Sequence, residues 1–135
     1  MLRIFGALLV GILVGNAWNM AFILLNGMVL FPMPEGMDMM DPEQMKAYMA
    51  TLPLAAYLVV LVAHVGQAGL GGWVAARVAG RNPYALAGLV GVLTFAGALH
   101  NLIVLGGPAF MWLDLPLIVG AAWLAGRAVA RRGPV

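Results

Sequence analysis

Residues 52–80 read LPLAAYLVVLVAHVGQAGLGGWVAARVAG, a long apolar stretch with His64 near its middle, a run of glycines in its second half and Arg77 close to its end. About 20 mostly apolar residues suffice to carry an α-helix across a hydrocarbon core of ~30 Å. The stretch therefore predicts a membrane span, and the rest of the chain has the same character. Of its 135 residues 64% are hydrophobic and 9% charged, far from the roughly 25% charged residues of soluble domains. The mean hydropathy of +0.99 points the same way. Four spans of about 20 residues with short connections account for nearly the whole length, which predicts one all-α, polytopic membrane domain.

The expected spans are residues 4–31, 53–76, 83–105 and 108–126, with a short interfacial helix over 42–51. The first run follows Arg3 as a secretory signal would, but it is longer than the apolar region of a signal peptide and carries Asn16, Asn19 and Asn26, so it reads as a retained helix. In the first connection, Asp41-Pro42-Glu43-Gln44 has the form of an N-cap, a proline at the first helical position and a capping-box glutamine. Asn82-Pro83 supplies a similar start for the third span, and Pro116 predicts a distortion in the first half of the fourth.

Small residues recur at helical spacing. Gly11 and Gly15 form a G-x-x-x-G pair; Gly66, Gly69 and Gly72 thin the second span, and Gly91 lies on a stripe of the third with Ala87, Thr94 and Ala98. Such residues let helix backbones approach closely in a membrane, so these six glycines are the expected packing positions.

The polar residues inside the spans form the second candidate set: Asn16, Asn19, Asn26, His64, Gln67, His100, Asn101 and Asp114. Counting about 1.5 Å of rise per residue from the predicted helix ends places Asn26, His100, Asn101 and Asp114 in one layer. Asn16, Asn19, His64, Gln67 and Thr94 fall in a deeper one. Ionisable residues within a span are costly and are functional candidates by default. In this reading Asp114 lies level with His100 and could relay protons or fix the histidine tautomer. His64 and His100 are also the positions at which a haem or a pigment would be ligated, although their estimated depths differ by ~7 Å. No particular cofactor is specified.

Several classes are disfavoured. The chain has no cysteine, which removes thiolate nucleophiles and iron–sulfur ligation, and no serine; its one lysine is Lys46. Catalytic and phosphate-loop signatures cannot occur, so no enzymatic role is expected. Two histidines and one aspartate lack the i, i+4 pairing that anchors zinc, and the methionines Met33, Met37, Met39, Met40 and Met45 read as an adaptable apolar surface before they read as soft-metal ligands, so no metal site is assigned. Despite the pI near 9.5, the basic residues are dispersed at span ends and imply no nucleic-acid partner. Arg3, Arg77, Arg81, Arg127, Arg131 and Arg132 flank the spans on one side. The connection over 32–51 carries Glu35, Asp38, Asp41 and Glu43 against Lys46. The positive-inside rule then places both termini in the cytoplasm and loop 32–51 outside.

The segments FPMPEGMDMMDPEQMKAYMATLP and GGWVAARVAGRNP, with Trp112-Leu113-Asp114-Leu115-Pro116 and AAWLAGRAVA later in the chain, resemble a group of small bacterial four-span integral membrane proteins. The resemblance implies a four-helix membrane fold and a bacterial cytoplasmic (inner) membrane, and carries no activity with it. Membrane lipid, other membrane-protein subunits or a second copy of the chain are the expected partners. The leading expectation is an accessory or structural subunit, or a homo-oligomer, acting through helix packing. The alternatives are a proton or small-solute transporter using the Asp/His/Asn layer, and a haem- or pigment-binding subunit.

Overall fold

The computed structural model describes residues 2–131, so Arg132 lies outside them. Helix α1 covers Leu2–Leu25 and runs on through a π-helical turn, Asn26–Leu30; α2 is Pro42–Ala50, α3 Leu54–Ala79, α4 Pro83–Val104 and α5 Asp114–Ala130, the last preceded by a 3-10 segment, Ala109–Leu113. Leu2–Leu30, Leu54–Ala79, Pro83–Val104 and Ala109–Ala130 are each long and apolar enough to cross a membrane. This all-helical architecture is that of a multi-pass membrane protein, in which helices satisfy their own backbone groups where water cannot.

The ends of these elements follow their local chemistry. Asp41 Oδ1 accepts from the N–H groups of Glu43 (2.9 Å) and Gln44 (3.3 Å), capping α2 as the sequence predicts. Gln44 departs from a simple capping box: its Nε2 donates to Asp41 Oδ2 at 2.9 Å and its Oε1 accepts from the Asp38 N–H at 3.0 Å, which ties the loop to the helix. The Gln44 side chain, followed by the backbone N–H groups of Gln44 and Glu43, holds the Asp41 carboxyl below its ordinary pKa. Its support of α2 is accordingly present above the usual carboxylate range and fades as pH falls through the lowered value. Asn82 differs from expectation. It takes a left-handed backbone conformation (φ 47°) and its side chain makes no cap bond, so α4 starts from Pro83 with Leu86 N–H donating to the Asn82 carbonyl. Pro116 falls in the first turn of α5, where its missing N–H is least needed, and the 3-10 segment before it is the distortion the sequence predicts.

Helices α3, α4 and α5 pack on one another, and α1 packs chiefly on α3. The α1 contact uses Ala7, Gly11 and Gly15, its buried residues, at four-residue spacing. A Cβ on Gly11 would stand 2.6 Å from both the Ala75 Cβ and the Gly71 carbonyl oxygen, and one on Gly15 would stand 2.7 Å from the Gln67 carbonyl oxygen. Gly72 lies against Ala87, Gly91 against Ala122 and Gly69 within ordinary contact of Ala121, while Gly66 gives up its Cβ position to the Trp18 indole. Each of the six predicted packing glycines therefore meets a neighbour inside the bundle. Gly71 and Gly126 have the same role, the latter against Tyr84.

The five described arginines other than Arg132 mark one end of the bundle. Arg3 Nε donates to the Val78 carbonyl at 3.2 Å, closing the C-terminal turn of α3, and Arg127 stacks on Trp123 with 4.9 Å between guanidinium carbon and ring centroid. Near this end the core is apolar, built from Ala7, Ala75, Ala76, Ala79, Leu86, Ala87, Val90, Ala125 and Val129. The other end, which carries the α1–α3 connection and the Gly106–Pro108 turn, is built differently.

Candidate functional site

At the loop end the outer halves of α1 and α4 are separated by a cavity of about 500 Å³ that reaches down to His64 and Asp114. Its walls include Asn19 and Asn26 of α1, Val60 and His64 of α3, Ala98, His100 and Asn101 of α4, and Met111 with Asp114 of the last span. Residues of the α1–α3 connection and of α2, among them Met33, Met39, Met40, Met45, Tyr48 and Met49, complete the lining.

Two devices place this roof. The π turn at Asn26–Leu30 widens the end of α1, with Phe31 N–H bonded to Asn26 O (2.8 Å) and Met33 N–H to Gly27 O (2.9 Å). Gly27 lacks a Cβ where the Met33 methyl would be 2.9 Å from it, so the chain can fold Met33 back over the helix end. From α2, Tyr48 Oη donates to Phe31 O at 2.5 Å, and burial pushes its phenol pKa up. Tyr57 at the top of α3 donates to Met49 O at 2.6 Å and meets Phe110 edge to face, with ring centroids 6.1 Å apart. These tyrosine anchors were not singled out by the sequence, because only the folded loop brings the carbonyls of Phe31 and Met49 to them.

The floor is a buried contact between a histidine and a carboxyl group. Asp114 is fully buried, at 0% exposure, and accepts on Oδ2 from His64 Nδ1 at 2.5 Å; His64 is itself only 7% exposed. This corrects the sequence-based layers, which set Asp114 beside His100 and His64 beside the asparagines. A uniform rise of ~1.5 Å per residue misses the 3-10 segment Ala109–Leu113, which advances at ~2 Å per residue and carries Asp114 deeper, where it meets His64.

The remaining polar candidates separate into three groups. Asn16, Asn19 and Gln67 meet, as expected: Asn19 Nδ2 donates to Gln67 Oε1, and Gln67 Nε2 donates to Asn16 Oδ1 at 2.7 Å. Asn16 nevertheless remains exposed on the outside of the bundle. Asn26, 6% exposed, donates from Nδ2 to the Ala56 carbonyl at 3.2 Å. His100 and Asn101, expected in one layer with Asp114, are exposed on α4 at the rim of the cavity. Thr94, also buried, bonds back to Val90 O at 3.1 Å within its own helix. Among the described residues two buried side-chain oxygens have no hydrogen-bond partner, Asn26 Oδ1 and Asp114 Oδ1, and both residues line the cavity.

Chemically, imidazole and carboxyl are both proton-exchanging groups, and here they meet in the wall of a cavity that also presents amides and tyrosines. Among the described residues no group of three or more His, Cys, Asp or Glu side chains is arranged to hold a metal ion. His64 has one ring nitrogen committed to Asp114, so only its Nε2 remains as an axial ligand for a haem or pigment. Comparison of the chain with protein-family models, with curated proteins and with solved structures finds no match.

Proposed function

We propose that this chain is a bacterial inner-membrane protein that passes protons, or a small solute together with them, by way of the loop-end cavity. The His64–Asp114 pair is its titrating element. The observation that carries this reading is a fully buried carboxylate in a span, bonded to a histidine, in the wall of a cavity of about 500 Å³. Asp114 opens α5 inside the last span and is fully buried there, and an ionisable residue so placed is costly and a functional candidate by default. The glycines that motivated a packing role are matched inside the bundle, and the buried His64–Asp114 contact is not part of that small-residue packing. With arginines at the opposite end, the positive-inside rule opens the cavity to the outside. Since α1 packs chiefly on α3, its movement relative to α4 is the motion that would expose the pair to the other side.

Proton movement into liposomes containing the purified protein tests the reading. Asp114→Asn and His64→Gln should each lower the flux by about tenfold or more, because each removes a proton-binding group from the path, while the protein still extracts and migrates as the parent does. Flux no greater than in empty liposomes, or indifferent to Asp114→Asn, would overturn the proposal.

A second reading, an accessory subunit or homo-oligomer, is favoured by one observation: Asn16 stays exposed near the middle of α1 although its Oδ1 accepts from Gln67, and lipid offers its amide nitrogen no acceptor. In mild-detergent pull-downs from the native membrane, this reading expects a stoichiometric partner or second copy that is lost on Asn16→Leu. Retention of the same partners after that change would remove its support.

A further inference from the structure

We infer that the cavity is a binding site for an apolar, singly charged organic cation carrying an N–H donor, a protonated hydrophobic amine. Its ammonium group would sit at Asp114 and Asn26 and its body along the methionines. This rests on the preceding proposal for proton coupling, but the site itself is argued from other features. Asp114 Oδ1 and Asn26 Oδ1 are unpartnered acceptors on side chains that are 0% and 6% exposed, and both residues line one cavity. Unpaired buried acceptors are rare and costly, and what they lack is a donor.

Water can donate, but it leaves the charge unbalanced. Among the described residues of the lining Asp114 is the one acidic residue, and no Lys or Arg appears there to balance its carboxylate. A monovalent cation removes that imbalance. A bare metal ion would leave most of a 500 Å³ space empty, whereas this volume lies in the range that encloses a drug-sized molecule. The walls suit such an occupant: six of the ten methionines, Met33, Met39, Met40, Met45, Met49 and Met111, line the cavity. Unbranched, polarizable thioethers repack around apolar bodies of different shape. The connection that roofs the cavity carries Glu35, Asp38, Asp41 and Glu43 against Lys46, a field that gathers cations at the entrance.

The site also defines an exchange. A pair holding two protons, with His64 as imidazolium, is neutral; seating the ammonium on Asp114 displaces one proton, so one positive charge enters as another leaves and no bond to carbon changes. The other titratable groups facing the cavity are Tyr48 of α2, Tyr57 of α3 and His100 of α4, while α1 contributes only the amides Asn19 and Asn26.

Dansylcadaverine, a primary amine with a fluorescent apolar body, is a suitable probe, its N-acetylated form being the uncharged control. With the full chain in nanodiscs, energy transfer from tryptophan to dansyl should saturate for the amine and not for the acetylated form. Asp114→Asn should weaken binding by about tenfold or more, as for the loss of one charge-assisted contact. Equal binding of both probes by the parent protein would overturn the inference without recourse to any variant. Stoichiometric binding of silver(I) with no binding of the amine would also overturn it, by assigning the methionines to a soft metal. Release of one proton per amine bound, followed with a pH dye in weak buffer, supports the exchange. Amine binding without proton release would leave the cation site standing and sink the proton-coupled reading. Proton flux that depends on Asp114 without amine binding would do the reverse.

Discussion

Replacing His64 by Leu is expected to destabilise the protein by about 3–5 kcal/mol, the cost typical of leaving one member of a buried ion pair without its partner. Asp114 would then retain a fully buried carboxylate from which the neighbour at 2.5 Å has been removed. The double change, His64→Leu with Asp114→Leu, should recover most of that loss, since an apolar pair of similar volume carries no desolvation penalty. Thermal unfolding of the three variants in one detergent measures the coupling. A double variant as unstable as His64→Leu alone would show that the two side chains are held by packing and not by each other. The comparison also separates stability from function: the double variant should be well folded and inactive in proton movement. A bundle that keeps most of its stability when the buried His64–Asp114 contact is replaced by an apolar pair is one in which that contact was retained for another purpose. Asp114→Asn is the gentler probe, because the amide keeps the shape of the side chain and an acceptor for His64 while discarding the charge.

The spans were legible in the sequence because length and apolarity act directly on the choice between water and lipid. Each predicted segment overlaps a helix of the structure, with α3 running from Leu54 to Ala79 where 53–76 was expected. The packing glycines were legible as well, since a four-residue period places Gly11 and Gly15 on one line whatever lies opposite. The site was legible only as an inventory. His64, Asp114 and Asn26 could be picked out as polar residues in apolar helices, but their grouping depends on how the last span starts. Gly106 and Gly107, at φ 75° and 142°, shape the α4–α5 turn, and nothing in the helical period announces the 3-10 segment that follows it. The cavity is less legible still. It arises because α1 and α4 share core residues near the arginine end, where Ala7 and Val90 belong to one cluster, and stand apart at the loop end. Methionines that sequence reading could leave as a flexible surface acquire a common direction only once that space exists.

That geometry predicts a large effect far from the cavity. Gly11→Leu should separate α1 from α3, because a Cβ at Gly11 would already stand 2.6 Å from the Gly71 carbonyl oxygen and from the Ala75 Cβ, and most of this surrounding is backbone or short side chain that cannot swing away. Overpacking in a close-packed interior costs typically 1–3 kcal/mol and occasionally more. At a seam where α1 has little other burial, the larger end of that range is expected, as a fall in unfolding temperature of roughly 10 °C. Gly71→Leu should act alike, since its Cβ would meet the Gly11 carbonyl oxygen at 2.7 Å from the other side of the same contact. Gly88→Leu and Gly97→Leu are the controls. Both positions have open space around the missing Cβ and should change the unfolding temperature little. If Gly11→Leu unfolds with the controls, α1 is not held by this seam. If it unfolds early, amine binding and proton movement should fall with it, because Asn19 and Asn26 reach the cavity only from an α1 that is seated on α3.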